Sequence, residues 1–238
     1  MRLSPRRSLS SVRTIALDDI LKEKFKERVL NSRPPIHPRF YVRVIPSSER
    51  NSAVLVPLLN VKGRPSVLFT HRSLLLSGHR GEICFPGGRL ERNETPEQGA
   101  LRESAEEIGI DKRSVEIWSR LRPMLTRNLR SIVTPVVGVL PDVEVRSLKP
   151  RTHEVQTIFT APLEELCRNH RYTHFKRGTA EWSLPVFTTS EYTTISSTSE
   201  YRPREYRIWG LSAGILHLTL IHLLPALYNS EIEIAVPV

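Results

Sequence analysis

Apolar positions along the chain fall into short continuous runs separated by stretches of helical period. Val54 to Leu59, Val67 to Thr70 and Ile132 to Val139 read as strands, and Ile158-Phe159 closes another before a short helix near Pro162 to Cys167. Pro96 to Ile108 has helical spacing, and Ile15 to Leu30 is a helix candidate of mixed charge, followed by the stiff linker Arg33-Pro34-Pro35-Ile36-His37-Pro38. Near the C-terminus, Ile208 to Leu227 is apolar, with Leu211, Ile215, Leu218 and His222 close to helical spacing and a stop at Pro225. This predicts a helix packed on a sheet; the sharper alternative is a helix lying in a membrane interface. Arg207, Gly210, Ser212, His217 and His222 interrupt the segment, and no run reaches the about 20 apolar residues that cross a bilayer. Thr188 to Arg204, rich in Ser and Thr, reads as a long hairpin loop or insertion. Alternating strands and helices predict an α/β fold, a mixed sheet with helices on both faces. With 238 residues and 39% hydrophobic composition, one core suffices. The expected layout is a basic extension over 1–35, a domain over 36–230 and a tail over 231–238.

The segment from Gly88 to Ile110 changes the picture. At about 100° per residue, Glu103, Glu106 and Glu107 fall within one arc of a helix, while Leu101, Ser104, Ala105 and Ile108 lie opposite. Thr95 is a suitable N-cap, Pro96 suits the first helical position, and Gly109 ends the helix. Carboxylates so close repel and raise one another's pKa. A hard divalent cation, Mg²⁺ or Mn²⁺, compensates them, and such ions take few protein ligands beside substrate phosphates. Phosphate chemistry is therefore the leading class. Phe85-Pro86-Gly87-Gly88, just upstream, supplies a tight turn in which a backbone carbonyl approaches a metal without Cβ interference. The bland alternative is a solvated helix whose Glu and Arg side chains pair at i,i+4.

The spacing G-x5-E-x7-R-E-x-x-E-E-x-G, from Gly88 to Gly109, resembles the Nudix box without a gap, and the chain is identified by it as a member of the Nudix hydrolases. The resemblance implies the Nudix fold, a mixed β-sheet sandwiched between α-helices. It implies Glu103 and Glu107 as principal metal ligands, Glu106 as a direct or water-mediated one, Gly88 as a backbone ligand, and a salt bridge between Glu94 and Arg102. Ser104 departs from the usual aliphatic or small residue, on the packing side, where no effect on chemistry is expected.

Leu68-Phe69-Thr70-His71-Arg72-Ser73, then Gly81 and Phe85-Pro86-Gly87-Gly88, resemble the signature of the coenzyme A diphosphatases. Ser77 stands where that signature has an internal Arg, with His79 and Arg80 close by. Coenzyme A carries a diphosphate and a 3′-phosphate, so its pocket needs cations besides the metal, and Arg offers a planar fork for phosphate oxygens. Arg72, His79 and Arg80 are the local candidates, with Ser73 and Phe85 as further substrate contacts. The alternative for Arg72 is a strand end reaching solvent. Tyr172 to Phe175, Leu184 to Phe187 and Arg207 to Leu211 are similar to segments of the mitochondrial branch. The implied reaction cuts the diphosphate of coenzyme A or its thioesters, giving 3′,5′-ADP and (acyl-)4′-phosphopantetheine. Family members often draw the general base from a Glu within or outside the box; Glu106 lies within, and Glu154, before Val155, is the candidate outside.

The other chemistry-bearing residues form no competing site. His71, His153, His170 and His174 do not have zinc spacing, and no GxSxG elbow or Ser-His-Asp order is present. Cys84 and Cys167 make neither a disulfide framework nor a metal motif, which points to a reducing compartment. The formal charge of +10 raises nucleic-acid or membrane binding. Part of it lies in Met1 to Thr14, which holds Arg2, Arg6, Arg7 and Arg13 with several serines and no acid, the composition of a mitochondrial transit segment. Competing readings keep the chemistry on another nucleoside diphosphate derivative, ADP-ribose or NADH, or make the chain a nucleic-acid-binding Nudix scaffold. The intact glutamates argue against the last.

Overall fold

The structure is a computed structural model that describes residues 15–32, 51–76, 78, 80–126, 131–142, 145, 147–177 and 180–230. The expected transit segment, the 33–38 linker, Ser77, His79 and the 231–238 tail lie outside the described residues.

The first helix, α1 (Asp19–Asn31), is capped by Asp18, whose carboxylate accepts from the Leu21 amide at 2.8 Å. Strands β1 (Ser52–Val61) and β2 (Arg64–Arg72) form an antiparallel hairpin, and β3 (Ile83–Cys84) and β4 (Gly87–Arg89) pair with β2 and β1. Helix α2 (Pro96–Ile108) has the expected boundaries, with Thr95 and Gln98 in a reciprocal capping box and Gly109 in the left-handed conformation at φ 76°. Next come β5 (Glu116–Arg120), β6 (Met124–Leu125), β7 (Ile132–Val139) and β8 (Val155–Pro162), then α3 (Leu163–Arg168). The chain finishes with β9 (His170–Arg177), β10 (Ala180–Thr189), β11 (Thr193–Ser197), β12 (Tyr206–Ile208) and α4 (Gly210–Leu223).

Among the described residues the main sheet runs β11-β8-β2-β1-β7-β5, with β3, β4 and β6 paired beside that path, and a smaller sheet runs β12-β10-β9. β1 pairs with β7 in parallel and with β2 antiparallel, so the sheet is mixed as expected. Its central strands are apolar on both sides because both faces are covered. Ala53, Leu55 and Leu59 of β1 enter one cluster with Leu68, Val136, Ile158 and, from α2, Ala100 and Ile108. Val56 and Leu58 point the other way, into a cluster with Phe69 and Phe159 that also takes Phe25 of α1 and Leu216 and Leu220 of α4. The period-2 alternation of β1 thus fixes α2 on one face and α1, α4 and the small sheet on the other.

Several expectations change. Residues 188–204 are not wholly a loop: Thr193 to Ser197 form an edge strand on β8, favoured by β-branched threonines and bonded at Thr157 Oγ1 to Ser197 Oγ, 2.8 Å. The helix within the expected 1–35 extension packs into the core, where Phe25 is fully buried 6.2 Å from Trp118, and Arg28 donates to the His222 carbonyl at the end of α4. α4 is buried around most of its circumference rather than along the stripe 211, 215, 218 and 222, since Ala213, Leu216, Leu220 and Leu223 are also buried. No helix among the described residues is long and apolar enough to cross a membrane.

His217, in this buried helix, is 1% exposed and its Nδ1 lies 2.9 Å from the Tyr228 hydroxyl. Burial, then the nearby His170 and His222, lower its pKa from 6.5 to about 4. Below pH 6.5 the unfolded chain takes up a proton that the folded chain refuses, so His217 stabilises the fold above that pH and the contribution is lost as pH falls towards 4. The span corresponds to about 3 kcal/mol. Urea denaturation at pH 7.5 and 4.5 is expected to show a smaller acid loss for His217→Gln than for the wild type; an equal loss in both would contradict it.

Candidate active site

The acidic helix meets a two-glycine turn. β4 lies against β1 with Gly87 opposite Val54 and Gly88 opposite Ala53. Gly87 has φ 148°, and a Cβ there would sit 2.3 Å from the Ala53 carbonyl oxygen, so only glycine fits. A Cβ on Gly88 would fall 2.5 Å from Cδ of Glu103, which places that carboxylate directly on the turn's backbone. One helical turn later, Glu107 Oε2 accepts from the Gly87 amide at 3.0 Å. The i,i+4 pair Glu103 and Glu107 therefore converges on Gly87-Gly88.

Glu107 is 5% exposed. Burial pushes its pKa up to about 7, against the opposing pull of the Gly87 amide and Arg72, while Glu154 and Glu103 add to the rise. Arg72, at the end of β2, brings Nη1 to 3.9 Å from Glu107 Oε1, and its buried Nε has no hydrogen-bond partner. The guanidinium thus faces the site and not only solvent. Glu154 stands in the turn before β8, its carbonyl accepting from the Ser73 amide at 2.9 Å and its carboxylate 3.5 Å from Arg151. Arg151 is itself tied to the helix, its amide donating to the Glu107 carbonyl at 2.8 Å.

Arg102 holds the loop before the helix. Its Nε donates to Glu94 Oε1 at 2.9 Å and its Nη2 to Glu94 Oε2 at 3.0 Å, the bidentate bridge implied by the box. Nη2 also donates to the Arg89 carbonyl at 2.9 Å, and Nη1 reaches Glu103 at 3.0 Å and Glu106 at 3.5 Å. The Arg102 guanidinium holds the Glu94 carboxyl below its ordinary range. Glu106 sits at the outer rim, its side chain about half exposed. Ser104 is buried and donates to the Ala100 carbonyl, away from the acidic face.

The remaining candidates separate. Ser73 is buried, its hydroxyl accepting from the Leu75 amide, and Phe85 is buried 4.9 Å from the Phe69 ring in the core. Both stand behind the glycine turn, the hydroxyl engaged with its own loop and the ring in the apolar cluster. Arg80 is exposed on the loop between β2 and β3. Cys84 is partly buried, and burial lifts its thiol pKa to about 11, which makes it a poor nucleophile. Gly99 is a site residue not singled out from the sequence. A Cβ there would fall 2.3 Å from Leu90 Cδ2 and 3.0 Å from Glu94 Oε2, so the side chains of the loop pack directly on the helix at this bare position. A glycine inside a helix, costing about 1 kcal/mol against alanine, was the available signal.

The donors fit a hard divalent ion. Among the described residues no three His, Cys, Asp or Glu side chains close into a ready-made metal cluster. The set offered is two converging carboxylates beside a Cβ-free backbone, one of them buried with an elevated pKa, and Mg²⁺ is commonly held by one or two carboxylates with its other positions left to water and phosphate. Glu103 and Glu107 would hold it.

Comparison with known proteins gives a match to the NUDIX domain over residues 49–183. The chain is 40% identical over 211 residues to "Nudix hydrolase 3" of Caenorhabditis elegans, covering 87% of this chain and 88% of that protein. It is 35% identical over 187 residues to the human "Mitochondrial coenzyme A diphosphatase NUDT8", covering 76% and 73%. Over 171 residues it is 34% identical to "Nudix hydrolase 15, mitochondrial" of Arabidopsis thaliana, covering 70% and 56%.

The two turn glycines should differ sharply on substitution. Gly87→Ala meets backbone at a positive φ and is expected to cost about 3 kcal/mol, lowering Tm by roughly 6–12 °C. Gly88→Ala meets only the mobile end of Glu103 and should stay within about 1 kcal/mol of the wild type. Thermal melts of the two variants giving the reverse order would contradict this packing.

Proposed function

The chain belongs to the Nudix family, and on that premise we propose that it hydrolyses the diphosphate bond of coenzyme A and its thioesters, in mitochondria, using Mg²⁺ or Mn²⁺. The products are 3′,5′-ADP and 4′-phosphopantetheine or its acylated form. The observation that carries the reading is Arg72: it belongs to the segment resembling the coenzyme A diphosphatase signature, and its guanidinium faces Glu107 with Nε unpaired. Support also comes from the likeness to a protein named as a mitochondrial coenzyme A diphosphatase and from the Arg-rich, acid-free Met1 to Thr14.

A bound divalent cation supplies charge neutralisation for the diphosphate and acidifies the attacking water. Glu103 and Glu107 present oxygen donors from one helix face, with Gly88 contributing backbone beside them and Glu106 a rim carboxylate. Arg72 offers phosphate oxygens the free part of its fork, which orients the scissile diphosphate and favours charge gathering on the bridging oxygen. Glu154 takes the proton of the water, being the carboxylate outside the box whose charge reaches Glu107. Glu94 and Arg102 act by position, fixing the loop and the direction of Glu103.

Purified protein with Mg²⁺ or Mn²⁺, offered coenzyme A, an acyl-CoA, ADP-ribose, NADH and capped RNA, is expected to release 3′,5′-ADP from the first two. Turnover confined to ADP-ribose or NADH would replace the substrate assignment, and tight RNA binding without turnover would replace the enzyme reading. Glu107→Gln should lower kcat by roughly 10²–10³-fold. Single-turnover rates of Glu154→Gln should fall by about 10² or more, and an unchanged rate would remove that residue as base. Residues 1–35 fused to a fluorescent reporter should direct it to mitochondria; a diffuse cytosolic signal would defeat the location.

A further inference from the structure

The strand β12 and the start of α4 carry two exposed side chains with no role in the chemistry above. Tyr206 and Ile208 are buried, so strand alternation sends Arg207 to the opposite face, where it is exposed. The backbone stays extended through Trp209 (φ −145°, ψ 176°), and its indole is 51% exposed on the same side of the strand as Arg207. Arg207 makes no ion pair or side-chain hydrogen bond with another described residue. Next to it the chain turns at Gly210, at φ 63°, where an added Cβ would have nothing within 4 Å. An exposed indole, an exposed guanidinium and open space thus share one corner of the fold.

That corner adjoins the diphosphate site. Three residues after Trp209, Ser212 lies near Cys84, and Cys84 feels the charges of both Arg72 and Glu107. Tyr206, whose ring points to the other face of β12 from Arg207, packs edge-on to His71, 5.8 Å away and next in sequence to Arg72, so the β12 backbone passes the end of β2. β12 also lies against β3, the strand that leads into the glycine turn. A substrate whose diphosphate lies at Arg72 and Glu107 has a nucleoside on one side, and the chemistry at this corner is that of a nucleoside phosphate: an aromatic face for a base and a planar fork for a phosphomonoester.

Resting on the coenzyme A reading, we propose that Trp209 stacks on the adenine and Arg207 pairs with the 3′-phosphate, so that these two residues select coenzyme A over substrates without that phosphate. Steady-state kinetics with coenzyme A and dephospho-coenzyme A, which lacks only the 3′-phosphate, test this. Arg207→Ala is expected to reduce the ratio of kcat/KM for coenzyme A to that for dephospho-coenzyme A about tenfold, with Arg207→Lys recovering part of it. Trp209→Ala should lower both values about tenfold and leave their ratio unchanged, with Trp209→Phe recovering much of the loss. Both side chains are exposed, so the variants should melt at the wild-type temperature, and quenching of indole fluorescence by 3′,5′-ADP should disappear in Trp209→Phe. Wild-type turnover of coenzyme A with an unchanged ratio in Arg207→Ala, or unchanged rates in Trp209→Ala, would overturn the subsite and leave the parent reading standing. A wild-type enzyme that cuts neither compound would remove both.

Discussion

One guanidinium makes the acidic face tenable. Glu91, Glu94, Glu103 and Glu106 all lie within 4.0 Å of Arg102, which also binds the Arg89 carbonyl. Replaced by a neutral side chain, Arg102 would leave these carboxylates repelling one another beside the buried Glu107. Its side chain is only 20% exposed, so its attraction to the 11% exposed Glu94 is screened less than that of a surface pair. Because the same group joins β4, the following loop and α2, the clamp sets geometry as much as charge. Gly87 lets β4 lie close against β1, and at Gly99 the side chains of Leu90 and Glu94 pack directly on α2.

The rest of the fold presents this unit at a strand end. The two clusters on either side of the main sheet hold β1 and β2 rigidly, so the turn following β3 and the end of β2 are fixed relative to α2. Arg72 arrives at Glu107 because the sheet pairing carries β2 that far: its amide bonds the Glu82 carbonyl, and Ser73 bonds Glu154 beyond it. Buried α4 backs the other face, and β12 lies against β3.

Much of this was legible in the sequence where a local rule had a single solution. Thr95, Pro96 and Gly109 fixed α2 to the residue because caps are local chemistry. The Glu94 and Arg102 bridge followed from the box, and the apolar runs of β1, β2 and β7 appeared because both sheet faces are covered. What stayed hidden depends on partners distant in the chain. The polar Thr193 to Ser197 becomes a strand only because β8 offers an edge, and α1 joins the core only through Phe25 and the end of α4. The burial of Ser73 and Phe85 was not legible either, because a motif shows spacing and not direction.

The central claim is that Glu103, Glu107 and the glycine turn seat a divalent cation. Crystals of the protein soaked in Mn²⁺ and measured for anomalous scattering test it most directly. The predicted peak lies about 2–2.3 Å from carboxylate oxygens of Glu103 and Glu107, beside Gly88. A fully occupied peak elsewhere, or none at millimolar Mn²⁺, would contradict it.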